Sequence, residues 1–380
     1  MRVGLIGTGR ISDIYLTNCM NFDELDVVAC ASLDRTEATI KAKKFNVPRV
    51  MSPEELLSDE SIECVLNLTV PAAHFDISRA ALESGKHVYS EKPFVTSLDK
   101  GTELLNLATA QQLLIGNAPD TFLGGRWQTV RNLIDTGVIG EPSGFFAHVG
   151  THGVERHHPN PDFYYKDGGG PLLDLGPYYL TVLVFLFGPM TRVCGMGNRS
   201  AKTRMIENGP RQGETIDVEV DTHSLSLIEF DCGIVGSMMM SFDVWDSETP
   251  RLEIYGSEGS ICIPDADPVH GANNFDGPVW FRRREASRWE FQPRPTDRPE
   301  NWNVAGNRYG YNSNFRGLGL RDLAQARSEH REPRASGKLA FHVLEALIAI
   351  EESSRERTFQ DIASTVGRPK PMPTVTDIVT

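Results

Sequence analysis

Val3-Gly4-Leu5-Ile6-Gly7-Thr8-Gly9-Arg10-Ile11-Ser12 is the stretch from which the rest of this 380-residue chain is read. Apolar and small residues run without a break into a Gly-x-Gly turn, the pattern of a buried strand feeding a tight loop and then a helix. Gly7 permits the turn, Gly9 lets backbone amides approach a pyrophosphate, and the helix beyond offers unpaired N–H groups and a positive dipole end. Thr8, Arg10 and Ile11 lie on the same turn. Ser12 fills the third glycine position; it is small enough for close helix-to-strand packing, and its hydroxyl is in reach of a phosphate. A purely structural glycine turn is the bland alternative. Against it stands the apolar run Asp26–Ala31, one helix length later, which supplies the second strand of the βαβ unit that a dinucleotide-binding turn requires.

The tip of that second strand separates NAD from NADP, because a carboxylate there takes the ribose hydroxyls whereas an Arg with small polar groups takes a 2′-phosphate. The tip reads Ser32-Leu33-Asp34-Arg35. Ser32 suits either cofactor, Asp34 is a ribose contact only if it reaches back far enough, and Arg35 either pairs with a phosphate or faces water. The cofactor is therefore expected to be NAD or NADP, with both open.

Strand and helix patterns go on alternating to about residue 118, which is doubly wound α/β grammar. Glu54–Leu57 opens a short helix, Cys64–Leu68 is a buried strand, and Phe75–Ser84 is an amphipathic helix closed by Gly85. The strand Cys64–Leu68 delivers Thr69, Pro71 and His74 to the carboxyl edge of the sheet, where ligands bind. His87-Val88-Tyr89 delivers Glu91, Lys92 and Pro93 to the same edge. A lysine beside a nicotinamide hydrogen-bonds a reacting oxygen and stabilises developing alkoxide, while an arbitrary lysine in such a loop faces solvent; the flanking acid and proline favour the first reading.

Charge and cysteine usage narrow the class. The 38 basic and 51 acidic residues leave a formal charge of −13, which argues against nucleic acid and against an anionic membrane surface as partners. Six cysteines without a Cys-x-x-Cys pair, several inside apolar runs, read as buried thiols of a reducing compartment. With no leader-like segment before the first strand and no uninterrupted apolar stretch of spanning length, the expected location is cytoplasmic. At this length two domains are expected, and Pro264–Pro299, rich in Pro, Asp, Arg and Gly, is expected to form long loops.

Together, Gly7-Thr8-Gly9-Arg10-Ile11, Thr69-Val70-Pro71 with His74, and Glu91-Lys92-Pro93 resemble the Gfo/Idh/MocA oxidoreductase family, named for glucose-fructose oxidoreductase and inositol dehydrogenase. The resemblance continues through Gly168–Tyr178, Leu252–Gly259 and Ser336-Gly337, so it covers most of the chain. It implies an N-terminal Rossmann domain over 1–118 and a substrate-binding and oligomerisation domain over 119–380. The second is an α+β domain whose large, open, mostly antiparallel sheet supports a homo-oligomer, a dimer or a tetramer. The chemistry implied is hydride transfer at a sugar, polyol or related carbinol.

Asp174 and Tyr178 stand at i and i+4 of an apolar helical pattern, hence on one face. By resemblance, Asp174 contacts substrate, and the position of Tyr178 is usually His, although the dihydrodiol dehydrogenase branch also carries Tyr. A tyrosine of ordinary pKa about 10 needs a cationic neighbour such as Lys92 to act near neutrality. Expected roles are therefore Lys92 accepting the hydroxyl proton, coupled to Tyr178, with Asp174 orienting a neighbouring hydroxyl; a core tyrosine is the plainer reading of Tyr178. Where many relatives have Arg-Phe this chain has Thr121-Phe122, so Asp120 and Thr121 are expected to supply polar contacts instead. His152, Glu155, His158 and Tyr165, in a loop dense with His and aromatics, are expected substrate contacts, since polyols are held by aromatic faces and by donor–acceptor side chains. A zinc site on His152, Glu155 and His157 or His158 is the sharper alternative, disfavoured by the loop spacing, and no metal is expected. Two other classes stay open: a lyase or glycosidase that cleaves glycosides by transient oxidation with tightly bound NAD, and a non-catalytic dinucleotide-binding regulator.

Overall fold

A computed structural model describes residues 1–158, 160–264, 275–284, 302–311 and 313–374. Much of the expected Pro264–Pro299 loop segment lies outside these residues. The chain divides into two compact units, Met1–Leu123 with Ser313–Leu344, and Gly124–Asn312 with Glu345–Thr380. The first therefore takes in a late segment that a contiguous domain over 1–118 does not contain.

The first unit is built on six parallel strands, β1 (Arg2–Ile6), β2 (Asp26–Ala31), β3 (Val50–Met51), β4 (Cys64–Asn67), β5 (His87–Ser90) and β6 (Ile115–Asn117). Their order, β3-β2-β1-β4-β5-β6, reverses direction between β1 and β4, which is where an open α/β sheet binds its ligand. Five helices connect them: α1 (Ser12–Cys19), α2 (Arg35–Phe45), α3 (Pro53–Ser58), α4 (Pro71–Glu83) and α5 (Leu98–Gln111). Both faces of the sheet are covered, so β1 and β4 are apolar on both sides and read as continuous hydrophobic runs. α4 begins four residues before the Phe75 expected from the apolar spacing, because Pro71 occupies the first helical position, where its missing N–H leaves nothing unpaired.

In the second unit α6 (Gly125–Asp135) leads to β7 (Pro142–Gly150), α7 (Gly170–Phe187), β8 (Met190–Asn198), β9 (Thr203–Met205), β10 (Thr215–Asp217), β11 (His223–Phe230), β12 (Val235–Ser241), β13 (Leu252–Gly256), β14 (Gly259–Ile263), β15 (Trp280–Arg283) and β16 (Asn303–Val304). α8 (Leu318–Ser328) belongs to the first unit, α9 (Gly337–Glu356) carries the division between units, and β17 (Gln360–Asp361) closes the order. Among the described residues the large sheet has nine strands, β16-β15-β14-β13-β7-β12-β11-β8-β17. Only β12 with β7 is parallel there, so the sheet is mostly antiparallel, as the resemblance implied.

α7 lies along this sheet against β11 and β12. By length and composition it could cross a bilayer, with a mean hydropathy of 1.4, yet 89% of it is buried inside the unit. It is a core helix, apolar all round because it is enclosed. The opposite sheet face is open. On β11 the small Ser224 and Ser226 point inward, while Leu225 and Leu227 point out beside Met196 of β8.

Candidate active site

The turn after β1 has the stereochemistry its sequence requires. Gly7 sits at φ +100°, and a Cβ there would come within 2.6 Å of the Leu68 backbone, so any side chain is excluded twice over. Gly9 has open space where a Cβ would project, leaving room for a phosphate to approach the backbone. Ser12 uses its hydroxyl inside the protein, donating to the Gly9 carbonyl at 2.7 Å, and so closes the turn. α1 carries no side-chain cap at its N-terminus; its Ser12 N–H donates to the Gly9 carbonyl at 3.0 Å and its Asp13 N–H to the Arg10 carbonyl at 3.4 Å, so the turn is held by its own backbone. Thr8 is 1% exposed, and its hydroxyl oxygen has no hydrogen-bond partner in the protein. An orphaned buried hydroxyl between two such glycines is the mark of a site completed by a bound group, and these residues fit a dinucleotide pyrophosphate.

At the end of β4, Asn67 is fully engaged. Its oxygen accepts from the Thr69 hydroxyl at 2.6 Å, and its amide donates to the His74 carbonyl and to Ser78, each at 3.1 Å. This holds the Thr69–Pro71 corner over the switch point. His74, expected beside the cofactor, is instead enclosed, with Nδ1 2.7 Å from the Pro93 carbonyl and Nε2 3.0 Å from the Thr69 carbonyl. Its ring ties the β4 and β5 loops together and has no nitrogen left for a ligand.

Lys92 follows β5 in a loop fixed from two sides. The Tyr15 hydroxyl of α1 donates to Glu91 Oε1 at 2.8 Å, the Lys92 N–H donates to Glu91 Oε2 at 2.9 Å, and Asn117 of β6 donates to the Ser90 and Glu91 carbonyls. The helix that would receive the pyrophosphate is thus linked, through one buried carboxylate, to the backbone of Lys92. The Lys92–Pro93 and Ala118–Pro119 peptide bonds are cis. Lys92 itself is half-buried.

Asp34 and Asp120 have structural employment. Asp34 caps α2, its Oδ1 accepting from Thr36 N–H at 2.8 Å and Glu37 N–H at 3.3 Å, so it is turned from a ribose toward its own helix. Asp120 is 1% exposed and accepts from the Gly317 and Gly319 N–H groups at 2.9 Å each, at the start of α8. Burial pushes its pKa up to about 6. The substrate contact expected of Asp120 gives way to this anchoring role.

In the second unit, Asp174 and Tyr178 share one face of α7, Asp174 half-buried and Tyr178 buried. Gly168, Gly169 and Gly170 form the tight entry to that helix; at Gly169 a Cβ would lie 2.5 Å from the Phe163 carbonyl oxygen. The loop before it is less open than its polar composition suggests. Tyr165 and Glu155, 0% and 2% exposed, are hydrogen-bonded to each other, and burial raises the Tyr165 pKa. Glu155 also accepts from Arg204 at 3.3 Å; Arg204 pairs with Asp243, which accepts from Thr222 at 2.7 Å. Both residues therefore serve an internal network and are not exposed substrate contacts. His152 stacks on the exposed indole of Trp245 at 3.2 Å between ring centroids, with the Arg156 guanidinium 5.3 Å from the same ring. Burial, then the Arg204 charge, lowers the His152 pKa. His158 meets Phe163 and Tyr164 edge-on. Among the described residues no three His, Cys, Asp or Glu side chains are grouped to hold a metal.

Residues 1–118 match the oxidoreductase family with an NAD-binding Rossmann fold, and residues 127–262 match the GFO/IDH/MocA C-terminal domain. A dTDP-3,4-didehydro-2,6-dideoxy-alpha-D-glucose 3-reductase of Saccharopolyspora spinosa is 30% identical over 270 residues, covering 70% of this chain and 75% of that protein. The chain belongs to the Gfo/Idh/MocA oxidoreductase family. A myo-inositol 2-dehydrogenase of Thermotoga maritima is 22% identical over 263 residues, 69% of this Gfo/Idh/MocA chain and 74% of that protein. A levoglucosan dehydrogenase solved with NADH and L-sorbose shares the fold, with a TM-score of 0.75 at 18% identity over 96% of this chain and 99% of that one. This member of the Gfo/Idh/MocA family is thus a nicotinamide-dependent dehydrogenase or reductase with NAD or NADP as cofactor.

Several positions that shape this Gfo/Idh/MocA site are absent from the sequence reading. Tyr15 lies three residues after Ser12 on α1, and a polar-tipped aromatic facing the sheet was its available signal. Arg204, Asp243 and Thr222 carry none, because their pairing depends on where distant strands lie in the second unit.

Proposed function

We propose that this enzyme, a dehydrogenase or reductase acting on CH–OH groups, transfers a hydride between NAD or NADP and a secondary hydroxyl, or the matching ketone, of a sugar, polyol or glycoside. The observation that carries the reading is the Tyr15–Glu91–Lys92 linkage, since it fixes a lysine backbone at the ligand-binding edge of the sheet from the dinucleotide helix itself. The relatives named above act, by their names, on a dTDP-sugar and on an inositol, which supports a polyhydroxylated substrate.

In this reading Gly7, Thr8, Gly9, Arg10, Ile11, Thr69 and Pro71 hold the dinucleotide, whose nicotinamide supplies the hydride chemistry. Lys92 accepts the hydroxyl proton in the oxidation direction and returns it in reduction. From the second unit, Tyr178 is the proposed acid–base partner of the substrate and Asp174 orients a hydroxyl, with His152 and His158 as further polar contacts. Positioning and stabilisation of the developing oxyanion are the protein's contribution. We also propose a cytoplasmic homo-oligomer, supported by six free thiols and by the apolar open face around Leu225, Leu227 and Met196.

The test is turnover of a panel of sugars, inositols and glycosides, followed by absorbance of the reduced nicotinamide, for the wild type and Lys92→Met. Substrate-dependent reduction of free cofactor, with kcat lowered ~10²–10⁴-fold in the variant and nucleotide affinity unchanged, is expected. Glycoside cleavage without net reduction, or equal kcat in the variant, overturns the proposal.

A further inference from the structure

We infer that the cofactor pocket selects NADP over NAD, and that Ser32 and Arg35, with Arg10, are the residues that set this preference. The inference rests on the dinucleotide reading of the β1–α1 turn and is independent of the substrate class.

A site selective for NAD needs a carboxylate at the end of β2 to accept hydrogen bonds from the ribose hydroxyls. The residue that follows β2 is Ser32, half-buried, then the fully exposed Leu33, and only then Asp34. Asp34 is held by two N–H groups of α2, and turning it toward a ribose would break a cap of the kind worth ~1 kcal/mol. Asp13, the acid on the first turn of α1, is paired with Lys41 and with Lys44 at 2.7 Å. These contacts hold its carboxyl below the ordinary range and direct it toward α2. Glu37, exposed on the first turn of α2, is the remaining acid of that helix start.

The cations show the opposite pattern. Lys41 and Lys44 are taken by Asp13, and Arg49 by Asp59. Arg10 and Arg35 are exposed and have no carboxylate partner among the described residues; the guanidinium of Arg35 reaches only the Val50 carbonyl, at 3.5 Å. Arg35 is the first residue of α2, next in the chain to the capping Asp34. A hydroxyl and two guanidiniums without a carboxylate partner among the described residues suit a phosphate monoester better than a neutral diol, and arginine adds bidentate geometry to charge.

Calorimetric binding needs no turnover. NADP+ should bind the wild type ~10-fold or more tightly than NAD+, and 2′,5′-ADP more tightly than 5′-AMP, one decade being the scale of a single charge-assisted contact. Ser32→Asp and Arg35→Ala should each reduce the NADP+/NAD+ ratio, and raised salt should lower it in the wild type, because the contact is exposed. NAD+ binding as tightly as NADP+, or ratios unmoved by both variants, overturns the inference while leaving the dinucleotide site intact. Failure of all four nucleotides to bind would instead overturn the cofactor site on which it rests.

Discussion

Tyr15 brings a hydroxyl into the interior of the first unit, where burial and then the Glu91 charge raise its pKa well above the ordinary value, so it remains a donor at any working pH. Replacing it with Phe leaves the ring packing and removes the hydrogen bond to a buried carboxylate, a loss of ~1–3 kcal/mol. Urea unfolding of Tyr15→Phe should show that loss, and kcat should fall more than the nucleotide Kd rises if the Lys92 backbone loosens. Gly7 was legible because its requirement is local: one φ and one close approach, both written into Gly-x-Gly. Asp34 was half legible. With Glu37 three residues on it has the pattern of a helix start, and weighing that signal against the ribose would have separated its two uses. Asp120 had no local signal, since its partners lie nearly two hundred residues away in the chain.

α8 is an element whose position depends on one titratable group. Gly317, at φ +101°, opens the helix, and the Asp120 carboxylate takes the N–H groups there in place of a side-chain cap from α8 itself. The folded pKa of about 6 lies above the ordinary 3.8, so between these values the folded state holds a proton that the unfolded chain has released. The contribution of Asp120 to stability is therefore greatest below the lower value and declines as pH rises through the upper one. Asp120→Asn keeps an acceptor for the two N–H groups without the charge. Its stability relative to wild type should rise between about pH 4 and about pH 6 and stay level above, as followed by urea midpoints across that range. A difference that shrinks with rising pH would reverse the sign and reject the buried-carboxylate account. At this scale β1, β2, β4 and β5 were readable within a residue or so, because buried parallel strands are short apolar runs, whereas the two- and three-residue strands β3 and β6 were too short to be singled out. The 152–165 loop was misread in part: polar composition implied exposure, whereas Glu155 and Tyr165 satisfy each other and turn inward.

For the molecule as a whole, the open sheet face around Leu225, Leu227 and Met196 is an apolar surface of the kind that marks association between proteins. Leu225→Glu with Leu227→Glu should convert a homo-oligomer to monomer in sedimentation velocity while the wild type sediments as a dimer or larger. A monomeric wild type would remove the proposal. The family and the two-part architecture were legible from motifs spread along the chain, but the composition of the first unit was not, since nothing near residue 313 announces a return to a sheet begun at residue 2. That return has a consequence for biosynthesis. Gly319 of α8 packs so closely on Tyr89 that a Cβ would lie 2.3 Å from its hydroxyl, and Leu318, Leu320 and Leu323 of the same helix are buried. A ribosome that has released only the first 123 residues has thus made every strand of that sheet without the helix that completes its core. The nascent enzyme must shelter this unfinished surface while nearly two hundred further residues are translated, so the burden on chaperones falls early in synthesis, on the half that looks simplest from its sequence.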